Sequence, residues 1–269
     1  MNILEKIIRH KRAEVLENKA LYPVRLLEQS IYFETPVVSL RKYLLRPDKS
    51  GIIAEFKRHS PSKGDINLHA EVEKTSIGYM QAGASALSVL TDNTFFKGKN
   101  EDLTEARNFN FCPILRKDFV IDEYQIVEAK SIGADAVLLI AECLEKAELA
   151  RLARFARSLG LEVLMEIHSV GQLAKLTPDV TVVGVNNRNL EDFSVSIQTS
   201  LELADAIPPD FVKISESGLH APEDVVRLRE AGFQGFLIGE MFMKSADPGR
   251  ACRAFIRSIA ELESARVPS

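Results

Sequence analysis

Four segments of the chain share one join. "YMQAGASALSVLTD", "AKSIGADAVLLIAE", "ARSLGLEVLMEIH" and "LREAGFQGFLIGE" each close a charged helical run at a glycine and open a short apolar strand. Gly83, Gly133, Gly160 and Gly232 take the position just past a helix end, where a left-handed backbone costs any other L-residue a steric penalty. The strands that follow are nearly continuous in Ala, Val, Leu and Ile, the composition of strands covered on both faces. Helix and doubly covered strand in alternation predict βα units around a parallel sheet.

Counting strands gives "GIIAEFK", "SALSVLT", "PILRKDF", "DAVLLIA", "LEVLMEI", "VTVVGVN", "FVKISES" and "GFLIGE". Helical sequence follows them, clearest in "EDLTEARNF", "IDEYQIVEAKS", "EKAELARLARFARSL", "SVGQLAKL", "TSLELADAI" and "PEDVVRLREA", with a last helix from about Gly249 to Ser264. Eight such units predict an α/β protein of the closed (β/α)8 TIM-barrel class. A doubly wound open sheet competes, but it would carry a phosphate-binding glycine fingerprint after the first strand, and neither GxGxxG nor GxxxxGK[ST] occurs. With 269 residues and 46% hydrophobic content, a single barrel domain over 1–269 uses the whole chain. Residues 1–48 read as an N-terminal helical extension of two helices, the second around "VRLLEQ", packing across one end of the barrel.

Charge narrows the partners. The net charge of -4 and pI near 5.8 come from well-mixed acids and bases, with no basic block to track a nucleic acid backbone. The opening "MNILEKIIRHKRAEVLENKA" spaces its apolar residues helically among charges, which reads as neither signal peptide nor membrane span, so the expected location is the cytoplasm. Cys112, Cys143 and Cys252 are odd in number and far apart, arguing against a disulfide framework or a zinc motif, and the histidines lack metal-ligand spacing.

In such a barrel the functional groups come from the C-terminal ends of strands and the loops after them. Strand one ends in Glu55, Lys57 and then Ser60, and strand three in Arg116, Lys117 and Asp118. Strand five supplies Glu166, strand six Asn186 and Arg188, strand seven Glu216, Ser217 and Gly218, and strand eight Gly239 and Glu240. Successive strand residues face opposite sides, so Glu55 with Lys57, and Asn186 with Arg188, point into the mouth together, while Arg58 and Asn187 face helices or solvent. A plain structural ion pair is the competing account of Lys57, Lys117 and Glu166, and the favoured one for Arg116. Lys57, Lys117 and Arg188 against Glu55 and Glu166 predict a net positive pocket for an anionic substrate. "SESGL" and "LIGEM" then read as a phosphate cradle built from Gly218, Gly239 and Glu240, with Ser217 beside it and Ser60 reaching in from the first loop.

With those residues placed, the chain resembles the indole-3-glycerol phosphate synthase family along essentially its whole length. The resemblance is carried by "ILEKIIRHKR", "IAEFKRHSPSKG", "LSVLTDNTFFKG", "ILRKDFV", "VLMEIH", "VGVNNRNL", "SESGL" and "LIGEMFM". It implies a lyase that closes the ring of 1-(2-carboxyphenylamino)-1-deoxyribulose 5-phosphate, giving indole-3-glycerol phosphate, carbon dioxide and water in tryptophan biosynthesis, with no cofactor. It implies Lys117 as the acid toward the ribulose carbonyl, Glu166 as a base, Lys57 as partner of the substrate carboxylate and Glu55 as its orienter. The donor of the second proton is left between Lys117 and Lys57. Asn186 and Arg188 are implied on the sugar hydroxyls or the carboxylate side, and Phe96 and Phe119 as walls for the anthranilate ring, with core packing the alternative for Phe119. A monomer is the default expectation, with association with other enzymes of the pathway left open.

Three positions depart from the family pattern. Phe56 replaces a more usual Val or Ile, His59 lies in the variable part of its motif, and Glu240 stands where several relatives carry serine, so its backbone N–H rather than its carboxylate would serve a phosphate. Nearby lysines raise each other's cost of charging, so one of Lys57 and Lys117 is expected to have a lowered pKa. The loop "KRHSPSKGDIN" reads as a mobile lid. Phosphoribosylanthranilate isomerase, a rival of the same barrel class, would need a cysteine base on the first strand, where this chain has Glu55 and Lys57. A catalytically silent phosphosugar-binding barrel is disfavoured by the filled set Glu55, Lys57, Lys117 and Glu166.

Overall fold

The computed structural model describes residues 3–190 and 192–266. Eight parallel strands close into a barrel: β1 (Ile52–Phe56), β2 (Ala86–Leu90), β3 (Ile114–Lys117), β4 (Ala136–Ile140), β5 (Glu162–Ile167), β6 (Val182–Asn186), β7 (Val212–Glu216) and β8 (Gly235–Ile238). Closure is made by β1, which pairs with β8 through Ile52 and Phe236 and with β2 through Ile53 and Ala86.

The repeated join is built the same way four times. Gly83, Gly133, Gly160 and Gly232 have φ of 98°, 95°, 80° and 86°. The residue after each glycine donates its N–H five residues back, as in Ala84 to Tyr79 O at 3.2 Å and Leu161 to Ala156 O at 3.0 Å. The next N–H bonds the preceding strand, as in Ser85 to Ile52 O at 2.8 Å and Asp135 to Ile114 O at 2.9 Å. One bond satisfies a carbonyl orphaned by the helix end, and the other sets the register of the new strand.

Helices α1 (Ile3–Leu21), α2 (Val24–Leu27) and α3 (Leu40–Leu44) precede the barrel. This corrects the expectation of two helices across one end. Leu40 and Leu44 of α3 pack among Ile53, Ala86, Leu115 and Ala136 at the N-terminal end of the interior, whereas Ile3, Leu4 and Ile7 of α1 line the cavity at the opposite mouth. The extension reaches both ends because its two apolar clusters lie far enough apart in sequence to span the barrel. The stretch "SVGQLAKL" is a 3-10 helix over Val170–Lys175 rather than an α-helix. Gly171 weakens helix propensity there, and Pro178 bars an extension. The remaining outer helices are α4 (Val72–Gln81), α5 (Asn93–Phe96), α6 (Asn100–Phe109), α7 (Glu123–Ser131), α8 (Lys146–Ser158), α9 (Gln198–Leu203), α10 (Pro222–Glu230), α11 (Glu240–Met243) and α12 (Pro248–Arg266). No helix among the described residues is long and apolar enough to cross a membrane.

Side-chain alternation splits the apolar residues into two shells. Outward residues such as Ile52, Ala54 and Phe56 pack under the helices, and inward ones such as Ile53, Leu115, Leu164, Val212 and Ile214 fill the barrel. The inward parity continues into Glu55, Lys117, Glu166 and Glu216, so the charged residues form the next layer up.

Gly160 isolates the backbone part of the join, since a Cβ added there meets nothing within 4 Å. Gly160→Ala should lower the urea midpoint by an amount equivalent to about 1 kcal/mol, and Gly160→Asn by less, because asparagine tolerates the left-handed region better. Equal stability of the alanine variant and wild type would remove conformational strain as the reason for the glycine.

Candidate active site

The mouth cavity is floored by the charged layer. Lys117 Nζ lies 3.0 Å from Glu166 Oε2 and 3.0 Å from Glu216 Oε2. Asn186 Nδ2 donates to Glu166 Oε1 at 3.1 Å, and His168 Nε2 stands 3.5 Å from the same oxygen. On the facing side Lys57 Nζ contacts Glu55 Oε1 at 2.6 Å, while Ser88 Oγ donates to Glu55 Oε2 at 3.3 Å. Two glycines make room for these acids: a Cβ on Gly239 would stand 2.6 Å from Glu55 Oε1, and one on Gly184 would stand 2.3 Å from Glu216 Oε1.

The electrostatics of the cluster are collective. Burial acts to strip the charge from Lys117, but Glu166, Glu216 and Glu55 outweigh it and hold the ammonium well above the ordinary lysine range. The expectation of a lowered lysine pKa therefore fails for Lys117, because its close neighbours are carboxylates rather than another lysine. Burial also opposes the charge on Glu166, yet Lys117, His168 and Asn186 keep it below its usual value. Glu216 takes the opposite course: burial first, then repulsion from Glu166 and Glu55, pushes it up to about 7 against the pull of Lys117.

The rim is more open. Phe96 and Phe119 face each other with ring centroids 6.0 Å apart and planes tilted by 39°. Phe119 both lines the cavity and packs on the inner apolar cluster. Ser217 is held in the left-handed region at φ 67°, and Asn187 Nδ2 donates to its carbonyl at 3.0 Å. Backbone strain of this kind persists only where the surroundings over-determine it. Gly218 follows at φ 74°, and a Cβ there would meet Val195 Cγ1 at 2.4 Å. Glu240 turns its Oε1 to Lys244 Nζ at 2.6 Å and stands 3.7 Å from Arg188 Nη2 through Oε2. The loop after β1 forms a short hairpin, pairing His59 and Ser60 with Asp65 and Gly64.

Every residue singled out from the sequence as catalytic or binding lines this one cavity: Glu55, Lys57, Lys117 and Glu166 on its floor, Phe96, Phe119, Asn186 and Arg188 on its walls, and Ser60, Ser217, Gly218, Gly239 and Glu240 at the opposite rim. Arg116 lies outside it, bonded to Glu128, Asp118 and the Gln125 carbonyl. Arg58 pairs with Asp102 of α6, and Asn187 bonds Ser200 of α9 and Ser215, as their parity requires. The expected positive pocket needs correction. Glu216 and Glu240 join Glu55 and Glu166 in the lining, so Lys57, Lys117 and Arg188 do not outnumber the acids. Glu216 stood among the strand ends but received no role; its inward parity with Val212 and Ile214 was the available signal, and Gly184 across from it was the other.

A closed parallel barrel whose C-terminal mouth holds a lysine between two carboxylates, with aromatic walls and a glycine-rich rim, has the layout of a barrel enzyme. The indole-3-glycerol phosphate synthase family pattern matches residues 4–255. Indole-3-glycerol phosphate synthase of Bacteroides thetaiotaomicron is 48% identical over 258 residues, covering 96% of this chain and 99% of that protein. The Carboxydothermus hydrogenoformans protein of the same name is 40% identical, covering 94% and 99%. The fold alone is shared with thiamine phosphate pyrophosphorylase from Pyrococcus furiosus, at a TM-score of 0.60 and 16% identity over 83% of this chain and 98% of that one. The chain belongs to the indole-3-glycerol phosphate synthase family, decarboxylating lyases of tryptophan biosynthesis.

Glu216 makes a pH signature. A carboxyl held at about 7 in the fold and at its ordinary 4.5 when unfolded favours the fold most below 4.5, and that contribution is lost as pH rises through about 7. Glu216→Gln has no such proton to lose. Its Tm should therefore gain on wild type between about pH 5 and pH 8, by several degrees for a term on the order of 3 kcal/mol. A Tm difference that stays flat across that range would rule out the titration.

Proposed function

We propose that this cavity closes the indole ring of 1-(2-carboxyphenylamino)-1-deoxyribulose 5-phosphate through the charged layer at its floor. The observation that carries the reading is the Lys117 ammonium held between Glu166 and Glu216 and facing the aromatic-walled cavity. The aryl ring would enter between Phe96 and Phe119. Its carboxylate would pair with Lys57, which Glu55 orients. The phosphate would rest on backbone N–H groups at Gly218, Gly239 and Glu240, with the Ser60 and Ser217 hydroxyls beside it. The contacts of the Glu240 carboxylate with Lys244 and Arg188 support this, since they offset its charge beside the phosphate.

The chemistry then needs two proton deliveries and one removal. As the ring carbon bearing the carboxylate attacks the ribulose carbonyl, Lys117 gives its proton to that oxygen, so no free alkoxide forms. Loss of carbon dioxide leaves its bonding pair in the ring and restores aromaticity. Glu166 removes the proton from the aniline nitrogen as the new hydroxyl departs with a proton as water, and the shift of one proton from the adjacent methylene carbon to that nitrogen completes the indole. Glu216, protonated near neutrality, stands 3.0 Å from Lys117 Nζ and is placed to restore the ammonium. Asn186 orients Glu166 and, with Arg188, faces the sugar hydroxyls. Every step moves protons and one carbon–carbon bond without net oxidation, so acids and bases suffice.

Purified protein given the carboxyphenylamino-deoxyribulose phosphate should develop indole fluorescence, and a silent assay would sink the reading. Lys117→Met should lower kcat by about a thousandfold, the scale of a lost general acid, while product binding stays measurable. Turnover within tenfold of wild type in that variant would take the acid role from Lys117.

A further inference from the structure

Lys11, in the middle of α1, has a side chain that is 0% exposed, although lysine is almost never fully buried without partners. Its ammonium contacts Asp92 Oδ2 at 3.0 Å, Asp118 Oδ1 at 3.0 Å and Glu14 Oε1 at 2.9 Å. Both aspartates are buried as well, and each holds the backbone of an aromatic wall. Asp92 Oδ1 accepts the N–H groups of Phe95 at 2.7 Å and Phe96 at 3.2 Å, capping α5. Asp118 Oδ1 accepts the N–H of Phe119 at 2.8 Å, and Asp118 directly follows Lys117. The dependence on Lys11 differs between the two. Asp118 Oδ2 also accepts from Thr91 Oγ1 at 2.7 Å and Arg116 Nη2 at 3.2 Å, whereas Asp92 Oδ2 has no hydrogen-bond partner beside the ion pair with Lys11.

We propose that Lys11 is a positioning residue for the aryl half of the substrate: one ammonium on α1 fixes the spacing of the Phe96 and Phe119 rings through Asp92 and Asp118, making the N-terminal helix part of the aryl slot. The identity of what enters the slot rests on the function proposed above. The physical argument is local. Two buried carboxylates that share a cation are drawn together, and each is bonded to the main chain of one ring. Without the cation they repel, and an unpaired buried charge is relieved most cheaply by moving the shorter, more exposed element. That element is the single turn of α5, whose only carboxylate cap is Asp92. The phosphate rim lies after β7 and β8 and shares no residue with this clamp.

Three measurements on Lys11→Met test the inference. Amide exchange at Phe95, Phe96 and Phe119 should quicken roughly tenfold while exchange in β5 to β7 stays at the wild-type rate. Binding of indole-3-glycerol phosphate should weaken about tenfold while glycerol 3-phosphate, which lacks the aryl group, binds within about twofold of wild type. In turnover the loss should fall mainly on KM. A further change, Asp92→Asn in the Lys11→Met background, removes the uncompensated charge and should return at least about threefold of the lost affinity. Equal loss for both ligands, or unchanged exchange and affinity, would overturn the inference. Should Lys11→Met fail to fold, Lys11→Arg keeps the charge on a different shape, and the same comparison of two ligands decides. If wild type shows no turnover, the functional reading fails, and the exchange data still decide whether Lys11 holds the two rings.

Discussion

The placement of Lys117 between Glu166 and Glu216 is the constraint around which the mouth is arranged. None of these groups is tolerable alone at that depth, because an isolated buried charge costs several kcal/mol and its neighbours beneath are Leu115, Leu164 and Ile214. Together they compensate, and further bonds come from Asn186 to Glu166 and from Ser88 and Lys57 to Glu55, while Glu216 Oε1 has no hydrogen-bond partner among the described residues. Glycines at 184 and 239 follow from the same requirement, since any side chain there would occupy the volume of a carboxylate. The cluster is thus fixed from below by the apolar barrel layer and from the sides by small residues, which leaves the cavity as its one open direction.

The charged layer alternates with apolar strands around the barrel, so the rim above it gives the site its orientation. Its ionisable residues come from β1, β3, β5 and β7, while β2, β4 and β8 present Leu90, Leu138, Ile140 and Leu237 to the same cavity. A ligand with an aryl face and a polyhydroxylated phosphate tail has one favourable way to lie in such a cavity. On the proposed function the aryl face would meet apolar wall near Phe96 and Phe119, and the tail would reach the rim after β7 and β8, where Gly218 and a left-handed Ser217 lie.

Most of the barrel was legible because its signals are local. The glycine join and the continuous apolar strands declare a βα unit within about a dozen residues, and period-two alternation places Glu55, Lys117, Glu166 and Asn186 on the inside without knowledge of their partners. What was illegible depends on contacts distant in sequence. Glu216 gains its meaning from Lys117, 99 positions earlier, and its raised pKa from burial first and then from two further acids on other strands. Lys11 reads as one basic residue in a charged helix, and only the fold brings Asp92 and Asp118 around it. The path of residues 22–48 is illegible for a related reason: Leu40 and Leu44 mark an apolar helix face, but sequence does not say which end of the barrel receives it.

The balance of acids and bases in the mouth bears on the order of events. An anionic ligand entering a cavity with more carboxylates than cations raises the pKa of the acids already there. Glu216 is the acid best placed to respond, since it already sits at about 7 and a small further rise protonates it near neutral pH. Proton uptake at Glu216 weakens its hold on Lys117 and relieves its repulsion of Glu166, which Lys117, His168 and Asn186 keep ionised. On the proposed chemistry, substrate binding would therefore load the proton that later restores Lys117. The acid-rich floor that looks unsuited to an anionic substrate is, on that account, what lets one lysine act as an acid and be recharged in place.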